Sequence, residues 1–316
     1  MCARVHSLWD RGAPAPQLQA ALAGGAGAPR SRQMDEAKEA MAQALFKSWF
    51  VDFDPVIDNA LKAGNPIPEQ LAPKAAARKA LGKDRKSLPD DVQRLFPSSF
   101  VETEEMGWVP EGWEIRELQD VASLIIDHRG KTPKKLGGDW QESGYPAVSA
   151  KNIKNRKLIR KDALNYVDQK LYSKWMQEEL RAGDVLLTSE APLGEMYYLS
   201  CDVKWVLSQR LLGIRADSKV MTGIYLFNWL NTDTAEADIQ GRASGTTVQG
   251  IKQSELRQVK VLCPSKHCLS VFTENLLPLM EKQKANDDSI DELQTLRDTL
   301  LPELMSGKLT MNGVNQ

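Results

Sequence analysis

LSVFTENLLPLMEKQKANDDSIDELQTLRDTLLPELM, residues 269–305, decides how the rest of the chain is read. Apolar side chains recur along it at alternating steps of four and three: Phe272, Leu276, Leu279, then Ile290, Leu293, and Leu300, Leu304. That spacing forms the narrow seam of a helix that pairs with another helix. Gln283, Asn286 and Arg297 interrupt the seam, and polar seam positions weaken such a pairing while fixing its register and partner. If the segment is helical throughout, it is about 55 Å long at roughly 1.5 Å per residue, too long for the interior of a small globule. Pro278 and Pro302 imply a kink or late start at one end and an early stop at the other. An ordinary amphipathic surface helix is the alternative, and its broader stripe fits this seam less well.

A partner for the rod lies near the other end of the chain. Met34 to Phe50 is helical in pattern, with Asp35, Glu36 and Glu39 in its first turns and Met41, Leu45, Phe46 and Trp49 on its apolar face. Leu45 and Trp49 are its candidate seam residues. Pro55 ends the pattern, since the residue before proline avoids the helical region, so the helix is assigned to 34–54. Residues 1–33 are rich in Ala, Gly and Pro and are expected to stay disordered. Their GGAGAP lacks a preceding strand and a GK[ST], so it is not a phosphate loop. Residues 55–107 carry Pro66, Pro68, Pro73, Pro89 and Pro97 and read as an extended or partly ordered connector, with a helix-like basic patch from Lys74 to Lys83.

Residues 108–265 have a different texture. Short strand-like runs (VASLII, DVLLT, MYYLS, WVLS, LLGIR, VKVL) alternate with turn residues and with helical patterns over 168–180 and 222–231. This is the one globular domain of ordinary size. The expected fold class is α+β: one mixed α/β domain, with a long C-terminal coiled-coil helix over 266–310 packed against the shorter N-terminal helix, and a tail at 311–316.

Composition limits the chemistry. The formal net charge is −1 over 316 residues, so any signal for nucleic acid must be local. It is found between His128 and Lys161, where ten Lys and Arg face two Asp and Glu, a local charge of +8. Two neighbouring loops there hold phosphate-seeking cations together with side chains able to reach base edges: Arg129, Lys131, Thr132 and Lys134 in one, Lys151, Asn152, Lys154, Asn155 and Arg156 in the other. A third loop, GRASGTTVQG at 241–250, offers hydroxyls and backbone N–H groups for phosphate oxygens and longer side chains for bases, through Arg242, Ser244, Thr246, Thr247 and Gln249. A solubilising surface and a plain hairpin are the bland alternatives for these loops. Ser189, in Thr188-Ser189-Glu190, lacks a GxSxG setting and a suitable base among His6, His128 and His267, so it is counted with the polar loop groups and not as a nucleophile. Cys263, His267 and Cys268 lack a fourth ligand for zinc, and no metal site is expected. No apolar run approaches ~18 residues and the N-terminus does not resemble a secretory signal, so cytoplasm is expected.

AQALFKSWFVDFDPV (42–56) resembles the central conserved region of specificity subunits of type I restriction–modification systems. LPDDVQRLFPSSFVETEEMGWVPEGWEI (88–115) is similar to that family's lead-in to a target-recognition domain. YPAVSAKNI (145–153) and GDVLLTSEAPLGE (183–195) resemble strands and loops inside such a domain, and LRDTLLPELMSGKL (296–309) resembles the end of the distal conserved helix. Full members carry two recognition domains and two long helices, so this chain looks like a C-terminal half. The resemblance implies a non-catalytic chain that binds double-stranded DNA and docks through its helices on modification (methyltransferase) subunits. S-adenosylmethionine would bind those subunits and no cofactor this chain, a restriction or motor subunit would cut DNA, and two copies of the half-subunit could pair. The rivals are a coiled-coil adaptor whose basic loops bind no DNA and a stand-alone nuclease or methyltransferase, against which the missing glycine-rich methyl-donor loop and missing P-loop speak.

Overall fold

The computed structural model describes residues 28–82 and 88–277, together with 296, 299, 300 and 302. Chain contacts divide the protein into two units, one of residues 45–275 and one of 1–44 with 276–316. Helix α1 (Ala28–Phe50) begins six residues before the Met34 expected from sequence and ends as expected at Phe50. The C-terminal helix is present over 266–277, and Leu300 is helical. The remaining seam positions Leu279, Ile290, Leu293 and Leu304 lie outside the described residues, as do residues 1–27 of the expected tail.

The connector is a correction to the sequence reading. Asp54-Pro55 ends α1 but also opens a second helix, α2 (Asp54–Ala63), because proline fits the first turn, where its missing N–H is not needed. Gly64, at φ 74°, closes α2 in the left-handed conformation that glycine adopts without steric cost. Helix α3 (Ala72–Ala80) packs on α2, with Arg78 paired to Asp58 and Lys74 reaching Asp52 at 2.9 Å. Asn59 donates to the Phe96 carbonyl (2.8 Å) and Gln93 to that of Pro55 (2.7 Å), so the proline-rich stretch is pinned to α2. Proline spacing alone gave no hint of these long-range side-chain bonds.

Two strands, β1 (Phe100–Thr103) and β2 (Gly107–Pro110), form a hairpin leading into the recognition fold. There follow β3 (Glu114–Glu117), β4 (Ala122–Asp127), β5 (Tyr145–Val148), β6 (Ile153–Lys154), β7 (Lys157–Leu158) and β8 (Asn165–Val167). After α4 (Gln169–Trp175) come β9 (Val185–Ser189), β10 (Leu193–Tyr198), β11 (Val206–Leu207) and β12 (Leu211–Ala216), then α5 (Gly223–Leu230), α6 (Asp233–Gly241) and β13 (Lys260–Cys263). Each of the six strand-like runs read from sequence contributes a strand. The main sheet is antiparallel in the order β10-β9-β12-β4, and β11-β5-β8 forms a second sheet. Strand β9 is buried at all five positions, which explains its continuous apolar run: a strand covered on both faces does not alternate.

The base of this unit is a cluster of aromatic rings. Phe50, fully buried, lies with its ring centroid 5.0 Å from those of Tyr225 and Phe272, 5.2 Å from that of Phe46 and 5.8 Å from that of Trp113. Trp49 meets Phe96 edge-on at 5.1 Å. The end of α1, the connector, α5 and the C-terminal helix therefore share one core, in which the ring centroids of Trp49 and Phe272 lie 6.1 Å apart. Replacing Phe50 with alanine should cost about 3–5 kcal/mol of stability. Urea unfolding followed by tryptophan fluorescence will show it as a lower midpoint.

Candidate nucleic-acid interface

Antiparallel register places four chain segments at one end of the main sheet. Asp127, last in β4, pairs with Leu212, while Thr188 of β9 pairs with Leu211 and Ser189 with Leu193. The segments leaving that end are therefore 128–137, 190–192 and 208–210. A fourth, 242–252, is joined to them by a β-bridge between Glu190 and Gly250 and by the Ile251 N–H donating to the Ser189 carbonyl at 2.9 Å. Gly250 makes a close approach there: a Cβ would stand 3.0 Å from that of Glu190 and 3.1 Å from the Ser189 oxygen.

Arg129 ties two of these loops together. Its Nε and one Nη donate to the Asp127 carboxylate at 2.9 and 2.6 Å, and its other Nη donates to the Ile251 carbonyl at 3.0 Å. Burial works to raise the Asp127 pKa, but the Arg129 side-chain and backbone hydrogen bonds outweigh it and hold the carboxyl below its ordinary value. Arg129 was expected to meet DNA; its guanidinium is instead committed inside the protein. Lys131 is half-buried and donates to the Trp175 carbonyl at 2.9 Å. Thr132 accepts from the Lys135 backbone (3.3 Å), and Lys134 is exposed.

The 149–163 segment joins the same end, since Ala150 N–H donates to the Gln209 carbonyl at 3.3 Å. Asn152 was counted among the DNA-binding residues, yet its side chain is fully buried. It accepts from Ser149 N–H (3.1 Å) and hydroxyl (2.9 Å) and completes a capping box. Strands β6 and β7 close through Asn155 and Arg156, both at positive φ (50° and 62°), the conformation of a type I′ hairpin. The Asn155 N–H donates to Glu195 (2.7 Å), and the Arg156 guanidinium lies 5.5 Å from the Phe227 ring centroid with Nε donating to Asn231 (3.2 Å). Lys151 and Lys154 project from this segment, exposed.

In the 242–252 loop, Ser244 and Gly250 exchange backbone hydrogen bonds of 2.9 and 3.0 Å, and Thr246, Thr247 and Gln249 at its tip are exposed. Arg242 donates through Nε to Asp238 (2.7 Å) and through Nη to Gln258 (3.3 Å), so it anchors the loop at its root. Ser189 is 1% exposed, which removes its hydroxyl from any surface role. Sequence reading missed Glu190, Arg210 and Gln253. Asp127, Arg129, Glu190 and Gln253 line a shallow depression of about 550 Å³ in the middle of the face. Only their place in space marks Glu190, Arg210 and Gln253, because none of the three stands out by charge run or spacing.

Elsewhere the buried thiols of Cys263 and Cys268 are pushed up to about 12 by burial. Among the described residues no group of His, Cys, Asp and Glu is placed to hold a metal, and no helix is long and apolar enough to cross a membrane.

His128 is nearly buried at the root of the first loop, and its Nδ1 has no hydrogen-bond partner among the described residues. Burial, aided by the Lys131 charge, pushes it down to about 4. An unfolded histidine titrates near 6.5, so between these values the unfolded chain binds the extra proton. Stability should thus be full above about pH 6.5 and fall as pH drops towards 4. In thermal unfolding across that range, His128→Leu should flatten the dependence. In a second test, Asn152→Ala should lower stability at neutral pH by about 1–3 kcal/mol, the cost of orphaned buried partners, while Lys154→Ala leaves it unchanged.

Residues 110–267 match the family model of the type I restriction modification DNA specificity domain, half of the chain. Among proteins, the chain is 27% identical over 297 residues to the type I restriction enzyme HindI specificity subunit of Haemophilus influenzae, covering 88% of this chain and 63% of that protein. It is 22% identical to the MjaIX specificity subunit of Methanocaldococcus jannaschii, covering 88% of this chain and 54% of that one. The chain thus spans little more than half the length of these relatives. Among solved structures, the HsdS subunit from Thermoanaerobacter tengcongensis aligns with a TM-score of 0.40 at 14% identity, over 93% of this chain and 57% of that one.

Proposed function

We propose that this chain, which belongs to the type I restriction–modification DNA specificity family, selects sites on double-stranded DNA for catalytic subunits. The observation that carries the reading is convergence. Loops separated by more than a hundred residues meet at one end of one sheet, and they carry exposed cations (Lys134, Lys151, Lys154) and exposed hydroxyl and amide side chains (Thr246, Thr247, Gln249). Cations of that kind hold phosphates and set register, while amide and guanidinium groups distinguish base edges in a groove.

In this reading the chain performs no chemistry. The Ser189 hydroxyl is buried, 1% exposed. Modification subunits would bring S-adenosylmethionine and take the target adenine out of the stack. A restriction and motor subunit would complete the complex. The helices that carry Phe50 and Phe272 would serve as the docking stalk. One recognition domain reads one half-site, so two copies would supply a two-part site.

Gel-shift titration of the full chain on duplex DNA should give an affinity that falls linearly with salt on logarithmic axes. Lys154→Ala should weaken binding to all sequences alike and lower that slope by about one. A salt-independent affinity, or no binding with the modification subunits present, would count against the reading.

A further inference from the structure

Within the cationic face, one exposed carboxylate lacks an evident reason to be there. Glu190 is 40% exposed and Arg210 50% exposed, and the two are paired through Nε of the arginine at 2.9 Å. A carboxylate at a surface that meets phosphates would repel them, so it fits DNA only where it faces base edges. Most other acids in the neighbourhood are already accounted for: Asp127 is committed to Arg129, Glu195 to the Asn155 N–H, and Asp238 to Arg242 and the Lys260 N–H. Glu190 lines the central depression instead.

Both partners are fixed by their backbones. Glu190 is bridged to Gly250, where the missing Cβ leaves room for it. The Arg210 carbonyl accepts from Ser189 N–H at 2.8 Å, and the residue is held at φ 63°. A non-glycine residue in that region is strained, and such residues cluster where function requires a set geometry. The ion pair engages Arg210 through Nε at 2.9 Å, and the side chain remains 50% exposed.

The pair thus presents a carboxylate acceptor beside a two-pronged donor. In the major groove, a C·G pair offers the complement side by side: the cytosine N4 amino donor, then the guanine O6 and N7 acceptors. Thymine would put its O4 acceptor against the carboxylate, and adenine its amino donor against the guanidinium. We infer that Glu190 and Arg210 are specificity-determining residues that read one C·G base pair of the recognised half-site, Glu190 accepting from cytosine and Arg210 donating to guanine. This inference rests on the DNA-binding reading above and adds to it a named base pair.

The test is selection from a pool of duplex oligonucleotides with a randomised segment, using the full chain and the variants Glu190→Gln and Arg210→Gly. Glycine suits the left-handed backbone at 210, so loss of recognition in that variant would not reflect unfolding, and melting temperatures would verify this. The wild type should enrich a motif with at least one invariant C·G pair. Both variants should lose discrimination at that same position alone and bind the parent motif about tenfold more weakly. An unchanged motif, or Glu190→Gln tightening binding to all sequences alike as the loss of a mere electrostatic brake would, overturns the assignment while leaving the DNA-binding reading intact. If the wild type enriches no motif at all, that reading falls and this one with it.

Discussion

One end of the main sheet depends on a single arginine turned inwards. Arg129 grips Asp127 two residues away with two donors and the Ile251 carbonyl, 122 residues away, with a third. The same 242–252 loop is attached to the β9–β10 turn through Gly250 and Ile251 and at its root through Arg242. The Arg129 bond adds the tie to the end of β4, so loops from β4, β9 and the far side of α6 share one boundary. A half-buried bidentate pair differs from an exposed one: removing either partner leaves a charge with little water to solvate it. The depressed Asp127 pKa is the electrostatic trace of the same bond.

This arrangement gives a division of labour among charged residues that are alike in sequence. Arg129, Arg156 and Arg242 are held by Asp127, by Phe227 with Asn231, and by Asp238, so they shape the loops. Lys134, Lys151 and Lys154 are exposed and suit the diffuse attraction of phosphates. Arg210 with Glu190 is both exposed and oriented, which is the combination that base reading needs. The aromatic cluster around Phe50 joins the end of α1 to the first turns of the C-terminal helix.

Much of the fold was legible from sequence because the recognition unit is made of short, locally patterned strands. The DVLLT and LLGIR runs are the adjacent central strands β9 and β12, and the 222–231 helix is α5, capped by Thr222 through the Tyr225 N–H. The connector was misread because its helices are short and rich in proline, and are held by bonds such as Asn59 to Phe96 that span 37 residues. The candidate site was legible as a region but less so as residues. A count of charges locates the 128–161 window, yet it cannot tell the exposed Lys154 from the buried Asn152 two places before it. Arg210 lay outside the window altogether, and only the register of β12 against β9 brings it to the face.

The central claim is that one end of the main sheet is where DNA is held. Hydrogen–deuterium exchange of the full chain, with and without duplex DNA carrying its selected motif, tests this most directly. The account predicts protection at 128–137, 149–163, 190–192, 208–210 and 242–252, with no change at the opposite end of the sheet in 181–184 and 217–221. Protection at that opposite end, with the first set of loops unaffected, would contradict it.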